Sequence, residues 1–371
     1  MQSFPAVDPI PLPAPVWFFK LLHIVTLSLH FVAVEMLLGG LLLAVILSLF
    51  RKSAVSTLAA RALARRLTVV MTYVINLGVP PLLFAQVLYG RALYTSSILI
   101  GAYWISIIGI LTLTYWLLYQ FTGRLESGRI GWPMGLSAWL LAGFIARLLS
   151  TNMALMLRPE VWRSMYSSSA AGVFLPTGDP TTEPRWLLML AGGLFVGGLW
   201  MLYLAGRSTF TAEEKRFLAG IGGRIAAIFG LVYLAAGIWA ASVQPDAVKS
   251  GLATHALYHL GGLAGYGWMA LVAVAVLVAT FAGVARRAAG WLAWTGALLA
   301  LLIEITFTVY RDAVRDLTLL SKGFSVWDRA VATNWGVVGL FLAVFVGALV
   351  VVGWLISVVA RAQKPMEGAA Q

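Results

Sequence analysis

Cysteine is absent from the 371 residues. That excludes disulfides, thiolate metal sites, iron–sulfur clusters and haem attached through a C-x-x-C-H motif. Charge is scarce too: Asp, Glu, Lys and Arg make up 11% of the chain, about half the fraction typical of a soluble domain. Histidine occurs four times, and 14 acids face 26 lysines and arginines. Redox chemistry carried by this chain must therefore use His, Met or carboxylate ligands, or take place in a partner. Apolar residues fill the rest, at 61% with 37 Gly and 15 Trp. Such abundance suits helices that pack closely in a bilayer and aromatic rings that anchor at its headgroups.

Hydrophobic spans are read near 16–49, 67–90, 95–121, 133–156, 186–206, 217–243, 252–282, 290–310 and 333–360. Each reaches the roughly 20 residues that cross a hydrocarbon core. The fold expected is an all-α polytopic membrane protein of about nine transmembrane helices, forming one integral domain over 1–371. Loops after the odd-numbered spans and the C-terminus hold 15 of the 26 basic residues, among them Arg51, Lys52, Arg361 and Lys364, against four acids including Glu367. The opposite loops and the N-terminus hold 10 basic residues and eight acids. By the positive-inside rule the N-terminus is external and the C-terminus cytoplasmic, which requires an odd number of spans. This charge asymmetry accounts for the basic excess, so nucleic-acid binding is rejected. The partner expected first is the lipid bilayer itself, as a multi-pass protein of a bacterial cytoplasmic membrane. The Pro-rich, acid-bearing start lacks a basic n-region, so the first span is expected to stay in the mature protein.

Two stretches between spans stand out. Residues 157–185 are rich in Pro, Gly and Ser and read as an ordered external loop or short interfacial helix. Residues 311–332 are amphipathic and charged, and read as an external segment on the membrane surface or against a partner.

Ionisable groups inside a bilayer are expensive, so each is a candidate functional residue. The spans hold His23, His30, Glu35, Arg147, His255, His259 and Glu304. All four histidines fall in the outer halves of the first and seventh spans. His23 and His30 share a helix face about 10 Å apart, and His255 and His259 share one about 6 Å apart. Opposed histidines at matched depth suit the axial positions of a haem iron, better than they suit zinc. Arg147 and Arg311 stand where guanidinium groups would meet haem propionates. Glu35 and Glu304 are proton-route candidates.

The first span, LHIVTLSLHFVAVEMLLGGL (22–41), resembles the opening helix of subunit I of the cytochrome bd quinol oxidases. That family carries a haem-ligating His-Phe pair there, and His30-Phe31 occupies its place. INLGVPPLLFAQVLYG (75–90) is similar to the stretch that follows in the family. The resemblance implies haem b, one to three copies, and electron transfer. Departures are visible. The run GAYWISIIGILTLTYWLLYQ (101–120) lacks the family's third-helix glutamates, and SVQPDAVKSG (242–251) replaces its long quinol loop. The family pairs a histidine of helix five with a methionine of helix seven. Here the fifth span offers Met189 and the seventh His259, so the ligand types look exchanged; a His255–His23 pair is the alternative.

The expectation is a bd-like subunit of a respiratory complex, moving electrons between membrane quinol and an external c-type cytochrome, and not by itself an oxygen reductase. Two other readings use the same residues: a haem-free anchor that binds quinone, or a proton-coupled transporter. Against transport stand the lack of a visible repeat and the single proline break, Pro80-Pro81.

Overall fold

Helices follow one another with short connections in the computed structural model, which describes residues 4–5, 10–49, 53–207, 209–287 and 290–362. They are α1 (Val16–Leu49), α2 (Ala54–Leu99), α3 (Gly101–Glu126), α4 (Trp132–Leu155), α5 (Pro159–Ser168), α6 (Thr182–Ala205), α7 (Ala212–Ser242), α8 (Asp246–Thr254), α9 (His259–Ala285), α10 (Gly290–Leu320) and α11 (Trp335–Ala362). Among the described residues nine are long and apolar enough to cross a membrane; α5 and α8 are not. Asp8, Arg51, Lys52, Lys364 and Glu367 of the topology count, and the side chain of Arg361, lie outside the described residues.

Local chemistry sets several helix ends. Thr211 and Glu214 form a reciprocal capping box that starts α7, satisfying two amide groups the first turn would otherwise leave open. Ser53 accepts from the Ser56 amide at the start of α2. Pro133 and Pro159 sit in the first turns of α4 and α5, where a missing N–H costs nothing.

The spans at the centre are α1 and α6, the most enclosed of the nine. Their backbones nearly touch: a Cβ placed on Gly39 would lie 1.6 Å from the Gly193 carbonyl oxygen. Only paired glycines permit that approach. Around this pair α2, α4 and α10 pack on α1, while α7 and α10 pack on α6, and α9 bridges α7 and α10. By contrast α11 buries little of its surface.

Boundaries differ from the sequence reading, the second span starting as a helix already at Ala54. The break expected at 91–94 lies at Ile100, because α2 bends at Tyr89 (φ −122°, ψ 18°) and continues to Leu99. The span read as 252–282 divides into the short α8 and α9. The segment 311–332 also divides. Its first ten residues continue α10, where Asp312, Arg315 and Asp316 are buried, and only 321–334 forms a connection. Charges that would be costly alone are tolerated there because they pair with one another.

Connections gather over the N-terminal end of α1. Leu12 exchanges backbone hydrogen bonds with Ala330 and Ala332, and Asn334 donates to the Pro13 carbonyl. Phe4, Trp162 of α5 and Phe324 pack edge to face beneath them. This cap closes one end of the bundle directly above the charged residues.

Candidate cofactor site and its charged surroundings

α1 and α10 run antiparallel. Lys20 meets Asp312 and Asp316, His23 meets Arg315, Phe31 meets Arg311, and Glu35 meets Glu304. Three polar centres are strung along this seam.

Nearest the cap is an ionic cluster. Lys20 Nζ lies 2.6 Å from Asp312 Oδ2 and 2.5 Å from Asp316 Oδ2, and it donates to the Tyr89 hydroxyl at 3.2 Å. Tyr89 Oη reaches Asp316 Oδ1 at 2.8 Å and Asp312 Oδ1 at 3.1 Å; its single proton serves one carboxylate at a time. The α2 bend at Tyr89 brings this fully buried ring onto the seam. Arg315 Nη1 donates to His23 Nε2 at 3.0 Å, and its guanidinium lies over Tyr89. Two cations and two carboxylates leave the cluster neutral. Its edge is aromatic: Trp327 lies against Lys20 and donates its Nε1–H to Tyr258 Oη at 3.1 Å. Burial, with Asp316 nearby, pushes the Tyr258 hydroxyl up to about 12.

His23 is held from both sides. Its Nδ1–H donates to the Pro81 carbonyl at 3.0 Å, and its Nε2 accepts from Arg315. Both ring nitrogens thus meet protein groups, and His23 ties α1, α2 and α10 together. His255 caps α8 with its ring on Tyr258, and His259 is exposed at the first turn of α9.

The second centre is His30. Its ring lies against Gly78 of α2, where a Cβ would stand 2.8 Å from Cε1. The Val74 carbonyl is near the ring, yet the buried Nδ1 has no hydrogen-bond partner among the described residues. Close by, the Arg311 guanidinium lies 5.2 Å from the Phe31 ring centroid. It makes no hydrogen bond or ion pair among the described residues, and its charge acts on His30 and Glu304 alike. An unpaired imidazole nitrogen and an unpaired guanidinium, with Gly78 beside the ring, are groups suited to hold an iron porphyrin bearing carboxylates. The residues present fit haem b at His30.

Deeper still, the carboxyl groups of Glu35 and Glu304 are neighbours, and Tyr233 of α7 donates to Glu304 Oε1 at 3.1 Å. Gly192 of α6 makes room for Glu35: a Cβ there would lie 2.3 Å from Oε1.

The remaining candidates lie elsewhere. Met189 is half-buried on α6. Arg147 pairs with Glu183 at 3.4 Å and lies over Trp186. With Arg158 and Asp179 it lines a cleft of about 60 Å³. Burial raises the Asp179 carboxyl, but Arg185 at 2.8 Å and the Thr181 donors outweigh that and hold it below the usual carboxylate range. Among the described residues no group of three or more His, Asp or Glu side chains forms a metal-ion cluster.

No family model matches the chain, and no curated protein sequence does. Among solved structures it aligns with a chain of the bd oxidase from Geobacillus thermodenitrificans, with a TM-score of 0.62 over 96% of this chain and 100% of that one. The chain has the bd oxidase fold. At 13% identity the likeness shows the architecture and leaves the chemistry to this chain's own side chains. The remote resemblance of the first two spans thus holds as a resemblance of the whole helical bundle.

Lys20, Asp312, Arg315 and Asp316 were missed as site residues by sequence reasoning. A signal existed: 312, 315 and 316 share a helix face by their i, i+3 and i+4 spacing, and Lys20 stands only five residues inside α1.

Proposed function

We propose that this chain is a bd-like membrane subunit of a respiratory complex. It would hold one haem b at His30 and pass electrons between membrane quinol and an external redox partner such as a c-type cytochrome. The observation that carries the reading is His30 itself. A buried imidazole nitrogen without a protein partner is costly unless something fills it, and it stands in the position of the family's His-Phe pair. A bound haem b would supply a one-electron couple. The chain's own groups would do the rest: His30 would hold the haem iron, Arg311 would neutralise a haem carboxylate, and Phe31 keeps that guanidinium in place. The neutral ionic cluster and the aromatic cap above it exclude water from this end of the bundle. α3 carries no carboxylate before Glu126, in keeping with an electron conduit that is not by itself an oxygen reductase.

The test is a dithionite-reduced minus air-oxidised visible spectrum of the purified protein, with a pyridine haemochrome assay. The reading expects an alpha band of haem b that His30→Ala removes. A colourless protein from haem-replete cells would overturn it.

A further inference from the structure

We infer that Glu35 and Glu304 form an acid–carboxylate pair that binds one exchangeable proton in the middle of the bundle, a protonation site separate from the His30 pocket. The inference does not rest on the haem reading.

Position is the first argument. Glu35 lies 14 residues before the end of α1 at Leu49, and Glu304 lies 14 residues after the start of α10 at Gly290. On antiparallel helices this puts both about 21 Å from the same end, too deep for a glutamate to reach water. They are 6% and 1% exposed.

Partners are the second argument. Around the pair, α6 brings Gly192, α7 brings Tyr233 and α9 brings Trp268, whose ring meets Tyr233 edge to face at 5.1 Å. Among the described residues Tyr233 is the ionisable group that hydrogen-bonds the pair, at Glu304, and Arg311 of α10 is the cation whose field reaches Glu304. Neither glutamate has an ion-pair partner among the described residues. Two ionised carboxylates in contact without a cation repel strongly at low dielectric, so one proton must sit between them.

The surroundings assign that proton. Glu304 accepts from the Tyr233 hydroxyl, and an accepted hydrogen bond favours the carboxylate form. Glu35 Oε2 is buried and meets no N–H or O–H donor among the described residues. Glu35 is therefore the neutral acid, and its O–H donates to the Glu304 carboxylate. The bond is O–H on Glu35 and O⁻ on Glu304; release returns that hydron to water and leaves the pair doubly ionised. Trp268 Nε1, also without a hydrogen-bond partner among the described residues, is buried beside Tyr233 and adds a polar group to the centre.

The experiment is infrared difference spectroscopy of the full-length protein in lipid at neutral pH, wild type against Glu35→Gln and Glu304→Gln. Glutamine has the shape of the neutral acid, so Glu35→Gln keeps the packing. The expected result is a protonated-carboxyl C=O band of one group that shifts in D2O. It is missing in Glu35→Gln and retained at a shifted frequency in Glu304→Gln. A wild type with no Glu35-dependent acid band would overturn the inference, as would a band of two acids with both lost only in the double variant. If Glu35→Gln is not recovered, Glu304→Gln alone decides: an acid band at unchanged frequency overturns it.

Discussion

Replacing Lys20 by Met tests whether the ionic cluster is as dry as its geometry implies. The substitution keeps the stem's length and apolar body and removes the ammonium, which lies over the Tyr89 and Trp327 rings. Asp312 and Asp316 then face each other with Arg315 balancing only one of them, and the Asp316 side chain is fully buried. Breaking a buried pair by deleting one partner costs about 3–5 kcal/mol, because the other charge stays desolvated. The exposed Arg65–Glu126 bridge, with both side chains well solvated, provides the contrast: Arg65→Ala should cost under about 1 kcal/mol. Thermal unfolding in one detergent, at one scan rate, reads the difference. Lys20→Met should melt on the order of 5 °C or more below wild type, while Arg65→Ala stays near it. The double variant Lys20→Met/Asp316→Asn should recover much of the loss, since it restores neutrality. A Lys20→Met protein as stable as wild type would refute the reasoning, as would a double variant less stable than the single.

Other outcomes follow from the same geometry. Gly78→Val places branched carbons where the His30 ring lies; it should diminish the haem band with little change in helix content by circular dichroism. An unaltered band would show that α2 does not shape that pocket. Gly192→Ala drives a methyl into Glu35 Oε1, and overpacking of this kind costs about 1–3 kcal/mol, read as a lowered melting temperature. Asp179 has a folded-state pKa below its usual 3.8, so its contribution to ordering residues 169–181 is complete above that value. The contribution is lost as pH falls through the depressed one. Limited proteolysis by an acid-active protease should cut there only at the acid end, and cutting already at pH 6 would contradict it.

Much of the architecture could be read from hydropathy alone, because a bilayer demands long apolar helices and the chain has nine among its described residues. What hydropathy could not place was the upper half of α10. Counting charges made 311–332 look water-facing, whereas Asp312, Arg315 and Asp316 are buried by pairing with Lys20 and His23 from the other end of the sequence. Pairing across 292 positions leaves no local trace. The same blindness affected the histidines. Spacing within α1 put His23 and His30 on one face, but which ring nitrogen is free depends on Pro81 and Arg315, and these belong to other helices. Likewise α8 ends at Thr254 and α9 begins at His259, so the shared face read for His255 and His259 is split by a turn. Glu35 and Glu304 were recognisable as membrane carboxylates; that they meet was not.

The central claim is that His30, and not His23, offers a nitrogen to a haem. The most direct measurement compares reduced minus oxidised spectra of His30→Ala and His23→Ala, each normalised to folded protein by size-exclusion chromatography. The account predicts that His30→Ala loses the haem b alpha band while His23→Ala, though less stable, keeps it. A band that survives His30→Ala and vanishes in His23→Ala would contradict the assignment of the site.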